Sequence, residues 1–210
     1  NCNHFFFTDE ALPINFLRTF AAKIIEEKVD VQWTGELKFE KSLLKDDRMD
    51  LLYKSGCRKL IFGLESYNQR VLDSMKKGVE LSWVDETAER CMQLGIAMHF
   101  YLICGFPTET REEVMDSINF VLNNQRLLDS PGFSAILSQF DLERGAPIEK
   151  NPAEWGIKNL FTPPEHDLSL GYSYETTIGM NSKQINDLYQ ELIEKLGREV
   201  MTFPHNYSLA

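Results

Sequence analysis

Lys54-Ser-Gly56-Cys-Arg-Lys-Leu-Ile-Phe62 and Gln93-Leu-Gly95-Ile-Ala-Met-His-Phe100 are two copies of one joint. In each, a helical pattern ends at a glycine and an apolar run of strand length follows at once. Glycine takes the left-handed backbone conformation that closes a helix without steric cost, so Gly56 and Gly95 read as helix stops. A helix stop followed directly by a strand, twice in succession, is the grammar of parallel strand–helix units with right-handed crossovers.

Outward from these joints the same alternation continues. Strands are predicted at His4–Thr8, Val31–Leu37, Arg58–Gly63, Ile96–Ile103 and Phe133–Phe140, each short and rich in β-branched, aromatic or leucine residues. Between them, Phe16, Leu17, Phe20, Ala21, Ile24 and Ile25 repeat at helical spacing. Leu51 and Leu52 close a second helix, and Asn68–Met75 forms a third. Ser82 followed by Asp85 reads as a capping box opening a fourth helix that stops at Gly95. A fifth, from Arg111 to about Leu128, carries Val114, Ile118, Val121 and Leu122 on one side.

After Phe140 the grammar changes. Gly145-Ala-Pro147, Asn151-Pro152 and Thr162-Pro-Pro164 predict an irregular extension from Ala146 to Asn181. A final helix, Ser182–Val200, turns Ile185, Leu188, Tyr189, Leu192, Ile193 and Leu196 one way. The expected fold is α/β: a partial parallel (β/α) barrel over residues 1–145, incomplete at its N-terminal end, with a C-terminal helical extension over 146–210. An open doubly wound sheet is the alternative. Phe7-Thr-Asp-Glu-Ala-Leu-Pro13 lacks the Gly-rich phosphate fingerprint, which weakens a dinucleotide-binding reading.

Composition narrows the function classes. A hydrophobic share of 43% and a charged share of 26% are ordinary for a soluble globular chain. No apolar run approaches the roughly 20 residues a membrane span requires. The net charge of −10 argues against a broad phosphate-binding surface, so no nucleic-acid partner is expected. The start, Asn1-Cys-Asn-His4, has no Met and no signal-peptide zones, and reads as an internal cut. Cys2, Cys57, Cys91 and Cys104 match no zinc ribbon, redox pair or disulfide framework, and read as reduced, mostly buried thiols of a cytoplasmic protein.

In parallel strand–helix folds, ligands gather at the carboxyl ends of the strands. Those ends are Thr8-Asp9-Glu10, Glu36 with Lys38, Gly63-Leu-Glu65-Ser66, Cys104 to Thr110, and Gln139, Asp141, Glu143 and Arg144. Leu60-Ile-Phe-Gly-Leu-Glu-Ser66, followed by Val71-Leu72 and Met75-Lys-Lys-Gly78, resembles the fourth-strand block of radical S-adenosylmethionine enzymes. Leu102-Ile-Cys-Gly-Phe-Pro-Thr-Glu-Thr110 resembles their fifth-strand block. Phe5 to Leu12 is similar to their second strand, and Trp33 to Lys38 to their third. The order and spacing carry the likeness across about residues 1–145, and the branch it resembles most often carries a cobalamin-binding domain.

The resemblance implies a partial barrel of six βα units opening onto a 4Fe-4S cluster and S-adenosylmethionine, with cobalamin as a further candidate cofactor. It implies an enzyme of oxidoreductase or methyltransferase type acting on a small molecule. Glu65 is implied as a ribose contact, with Ser66 in support. Asp9 and Glu10 are implied for the methionine ammonium, and Lys38, where many relatives carry Arg, for its carboxylate. Ile103, Gly105 and Pro107 are implied as an adenine cradle. His99 and Tyr101 share one face of their strand, open to a core or a substrate-facing role.

No Cys-x3-Cys-x2-Cys occurs in the chain. This implies a segment that binds no stable cluster or other cofactor and is inactive alone, with no metal ligands of its own. A cluster-free barrel acting as a binding or scaffold protein, and an ordinary barrel hydrolase or lyase, are the other classes. The edge of the His4–Thr8 strand is expected either to self-associate or to be covered by the Ser182–Val200 helix.

Overall fold

The computed structural model describes residues 3–162 and 170–200; Cys2 lies outside them. The five predicted strands form one sheet. They are β1 (His4–Phe6), β2 (Gln32–Leu37), β3 (Cys57–Glu65), β4 (Ala97–Cys104) and β5 (Ser134–Gln139). They lie in chain order, and every neighbouring pair is parallel. A doubly wound sheet reverses its strand order at a switch point, and this one does not. Same-handed crossovers in one direction set the helices on one face, so the sheet curls into a half-barrel.

The helices are α1 (Ile14–Glu26), α2 (Arg48–Lys54), α3 (Gln69–Ser74), α4 (Leu81–Leu94), α5 (Arg111–Leu122), α6 (Gln125–Leu128), α7 (Pro147–Lys150) and α8 (Ser182–Val200). Beneath them lies the core. Trp33, Leu60, Phe62, Leu64, Met98, Phe100 and Leu102 are buried on the convex side of the sheet. Phe39 stacks on Phe62 at 4.3 Å, and Phe100 meets both edge-on. Alternate residues of the same strands face the concave side, where Glu36, Lys59, His99, Tyr101 and Ser134 stand among Ile61, Ile103 and Ile136. No helix among the described residues is long and apolar enough to cross a membrane.

The two joints behave as read. Gly56 has φ +97° and Gly95 φ +70°. At Gly56 a side chain is excluded twice over, since a Cβ would stand 1.9 Å from the Val31 carbonyl oxygen.

Four local expectations need correction. The Ser82–Asp85 capping box does not form: the helix begins at Leu81, whose N–H donates to the Gln69 side chain at 3.1 Å. Asp85 instead accepts from the Tyr67 hydroxyl at 2.6 Å. The capping box stands at Thr110 and Glu113, opening α5. The long fifth helix breaks at Asn123, and the Asn124 side chain caps α6 by accepting from Leu127 N–H at 3.0 Å. The expected irregular extension holds an antiparallel sheet in which β8 (Gly171–Thr176) lies between β6 (Leu142–Glu143) and β7 (Ile157–Phe161). Finally, α8 packs against β5 and not β1: Tyr189 Oη donates to the Leu137 carbonyl at 3.3 Å, and Gln139 to Asn186 at 2.9 Å. At the β1 edge, Phe5 and Phe6 remain 50% and 55% exposed. With Phe7, Phe20 and Trp33 they border an apolar cavity of about 410 Å³.

Candidate functional site

Because the five strands run the same way, whatever follows them shares one edge. Asp9 and Glu10 follow β1, Lys38 follows β2, Ser66 follows β3 just beyond Glu65, and Gly105 and Pro107 follow β4. The sheet thus brings the predicted site residues to one end. Asp9, Glu10 and Lys38 are exposed there, and Ile103 is half-buried on the concave face of β4.

Glu65 is the most constrained of the group. Its φ of +64° is left-handed, a conformation that costs a side-chain-bearing residue about 1–2 kcal/mol. The register with β4 slips between Gly63 and Glu65, so a bulge re-aims the strand end. The carboxylate folds back over Gly63: a Cβ on Gly63 would stand 2.7 Å from Glu65 Oε1. Lys77 donates to the same oxygen at 2.8 Å. The glycine makes room for the carboxylate and the lysine pins it.

Two residues absent from the predicted site join it. Glu36 is half-buried on the concave face, and no cation among the described residues pairs with it. Burial raises its pKa above the usual carboxylate range, with repulsion from Glu10 and Glu65 adding to the effect. Its alternation with Thr34 along β2 was the available signal. Tyr101 lies nearby, its phenol pKa raised by burial and then by Glu36. Lys77 was visible in Met75-Lys-Lys-Gly78, but its partner was not.

Other predicted residues face elsewhere. Ser66 is fully buried, its hydroxyl 3.3 Å from that of Ser117 and accepting from Asn68 N–H at 3.2 Å. Arg144 lies over the Tyr172 ring at 5.5 Å and donates to Thr162 at 3.0 Å, toward the small sheet. Gly105, with φ +85°, and Pro107 are both buried. A Cβ on Gly105 would meet Ile185 Cδ1 at 2.7 Å, so α8 covers the predicted cradle on that side.

The Gly105 loop is held from within by Glu109, only 1% exposed. One carboxylate oxygen accepts from Gly105 N–H at 2.7 Å and from Phe106 N–H at 3.2 Å. The other has no partner among the described residues. Burial pushes the Glu109 pKa up to about 7, against the pull of those two N–H groups. Arg70 donates to the Thr108 carbonyl at 3.2 Å and pairs with Glu113, closing the loop from outside.

The described cysteines do not suit a metal cluster. Cys57, Cys91 and Cys104 are free and buried, with Cys91 and Cys104 pushed up to about 12 by burial. No group of His, Cys, Asp or Glu among the described residues has the arrangement to hold a metal ion. The carboxylate-lined edge, in contrast, suits a ligand rich in hydroxyl and ammonium donors.

Residues 15–121 match the family model of the radical SAM superfamily. The chain is 29% identical over 116 residues to an uncharacterised methyltransferase of Pyrococcus horikoshii, covering 54% of this chain and 25% of that protein. It is 27% identical over 126 residues to a bacteriochlorophyllide d C-12(1)-methyltransferase of Chlorobaculum tepidum, covering 59% of this chain and 27% of that one. The chain thus spans about a quarter of the length of these relatives. Its fold is similar to that of the radical S-adenosylmethionine methyltransferase TsrM of Kitasatospora setae, solved with cobalamin and a 4Fe-4S cluster. That match has a TM-score of 0.66 at 15% identity, over 98% of this chain and 46% of that one. It is also similar to the cobalamin-dependent enzyme OxsB, solved with aqua-cobalamin and S-adenosylmethionine. There the TM-score is 0.62 at 14% identity, over 92% and 34% of the two chains.

Proposed function

Because this chain belongs to the radical SAM superfamily, we propose that the whole protein binds S-adenosylmethionine at the carboxyl edge of the half-barrel, to start radical chemistry on a small molecule. The observation that carries this reading is the Glu65 carboxylate, bulged out of β3, folded over Gly63 and held by Lys77. Lys77 occupies one oxygen, and the remaining acceptor capacity suits the two ribose hydroxyls. Strain at a non-glycine residue that the surrounding structure over-determines is characteristic of ligand clamps.

The neighbouring residues are assigned by charge. Glu10 and Asp9 suit the methionine ammonium, with Glu36 reinforcing the negative rim. Lys38 supplies a cation for the methionine carboxylate, as a point charge without a bidentate fork. Ile103 and the backbone from Gly105 to Pro107 are assigned to adenine, on the side that Ile185 leaves open. These residues bind and orient the nucleoside and exclude water. The cysteines described do not fit the cluster, so no step is assigned to them.

Two methyltransferase relatives favour methyl transfer over other radical chemistry. The cobalamin bound in TsrM and OxsB supports cobalamin as a second cofactor of the whole protein. Unpaired, buried thiols suit a reducing compartment, and the cytoplasm is the assigned location. The test is release of 5′-deoxyadenosine from S-adenosylmethionine by the whole protein, reconstituted and reduced without oxygen. A reduced, cluster-loaded protein that leaves S-adenosylmethionine intact contradicts the reading.

A further inference from the structure

Deeper on the concave face, a second set of side chains takes no part in that assignment. Strand register aligns Thr34, Lys59 and Ala97 across β2, β3 and β4. One step nearer the carboxyl edge it aligns Glu36, Ile61, His99 and Ser134 across β2 to β5. The intervening Leu60, Phe62, Met98 and Phe100 are buried on the other side, so alternation turns Lys59, His99 and Ser134 toward the lumen.

Lys59 is half-buried, and no carboxylate among the described residues forms an ion pair with it. Its charge reaches His99, whose pKa is lowered to about 4 by burial first and by Lys59 second. His99 is therefore neutral at physiological pH. Ser134 Oγ holds its Nδ1 at 2.7 Å, and the Tyr101 ring meets it edge-on at 4.9 Å. That bond occupies Nδ1 and leaves Nε2, the other ring nitrogen, with no partner among the described residues, a donor or an acceptor according to the tautomer.

The concave face therefore carries carboxylates at its rim and, below them, a lysine with no ion-pair partner among the described residues. A half-buried lysine with no ion-pair partner among the described residues favours an incoming anion. One cation beside one neutral imidazole suits a singly charged carboxylate better than a doubly charged phosphate. On the reading that this cleft is the S-adenosylmethionine site, we propose that Lys59 and His99 form its substrate anchor. The substrate is a small molecule bearing a carboxylate, seated on Lys59 with its body along Tyr101 toward the rim.

The test is calorimetric titration of the whole protein with benzoate, its neutral analogue benzamide, inorganic phosphate and, separately, S-adenosylmethionine. Benzoate is expected to bind at least about tenfold more tightly than benzamide or phosphate, about 1.4 kcal/mol. Lys59→Met should abolish that preference and Lys59→Arg retain most of it, with S-adenosylmethionine affinity unchanged in both. Equal binding of benzoate and benzamide, a preference for phosphate, or undiminished benzoate affinity in Lys59→Met would overturn the proposal. So would Lys59→Met weakening S-adenosylmethionine as much as benzoate. Lys59-dependent benzoate binding in a protein that ignores S-adenosylmethionine would support the anchor while removing the nucleoside reading.

Discussion

The Glu65 carboxylate fills the space that a side chain on Gly63 would take, 2.7 Å from where its Cβ would stand. Gly63 does not need glycine's backbone freedom, because its φ lies outside the left-handed region. Gly63→Ala should therefore fold normally while displacing the flexible end of Glu65. We expect S-adenosylmethionine affinity to fall at least several-fold with the melting temperature nearly unchanged. Equal loss of stability and affinity would show that Gly63 matters to packing and not to the carboxylate.

A second expectation concerns Glu109. Its folded pKa, about 7, lies above the ordinary value of 4.5, so folding favours the protonated form. Its contribution to stability is complete below about pH 4.5 and is lost as pH rises through 7. His99 acts in the opposite sense, because its lowered pKa adds stability as pH rises through the ordinary histidine range. The comparison with Glu109→Gln cancels the histidine. Urea unfolding of both proteins from pH 5 to 8 should show the glutamine variant gaining on wild type as pH rises. A difference that stays constant across that range contradicts the assigned burial of the charge.

The contrast between Gly56 and Ser66 shows what was legible in the sequence. Gly56 was readable because its cause is local: a helix stop beside a strand start needs only the neighbouring residues. The five strands and their common edge followed from such joints. Ser66 was not readable, because its burial depends on Ser117, far along the chain on α5. The same holds for the Glu65 bulge, which needs Lys77, and for the start of α4, which is capped by Gln69. Glu109 looked like one more polar residue at a strand end; only the folded loop turns its oxygens onto the Gly105 and Phe106 amides. The small sheet escaped notice because its pairing strand, β8, is separated from both partners by turn-rich sequence.

At the other end of the main sheet, β1 has β2 as its one strand neighbour among the described residues, and its Phe5 and Phe6 are exposed. Such edges pair with other chains unless a charge or cover prevents it. The 210-residue chain in isolation should self-associate, and Phe5→Lys should return it toward monomer in sedimentation velocity. A monomeric wild-type chain at the same concentration would remove this edge as an association surface.

The central claim is that Glu65 contacts the nucleoside, and the most direct measurement is the S-adenosylmethionine affinity of the whole protein with and without that carboxylate. Glu65→Ala should weaken binding by about 1–3 kcal/mol, the range for charge-assisted hydrogen bonds to hydroxyls. 5′-Deoxyadenosine, which keeps the ribose and lacks the methionine, should lose affinity in parallel. Unchanged affinity for both ligands in a folded Glu65→Ala protein would contradict the account and take Glu65 out of the site.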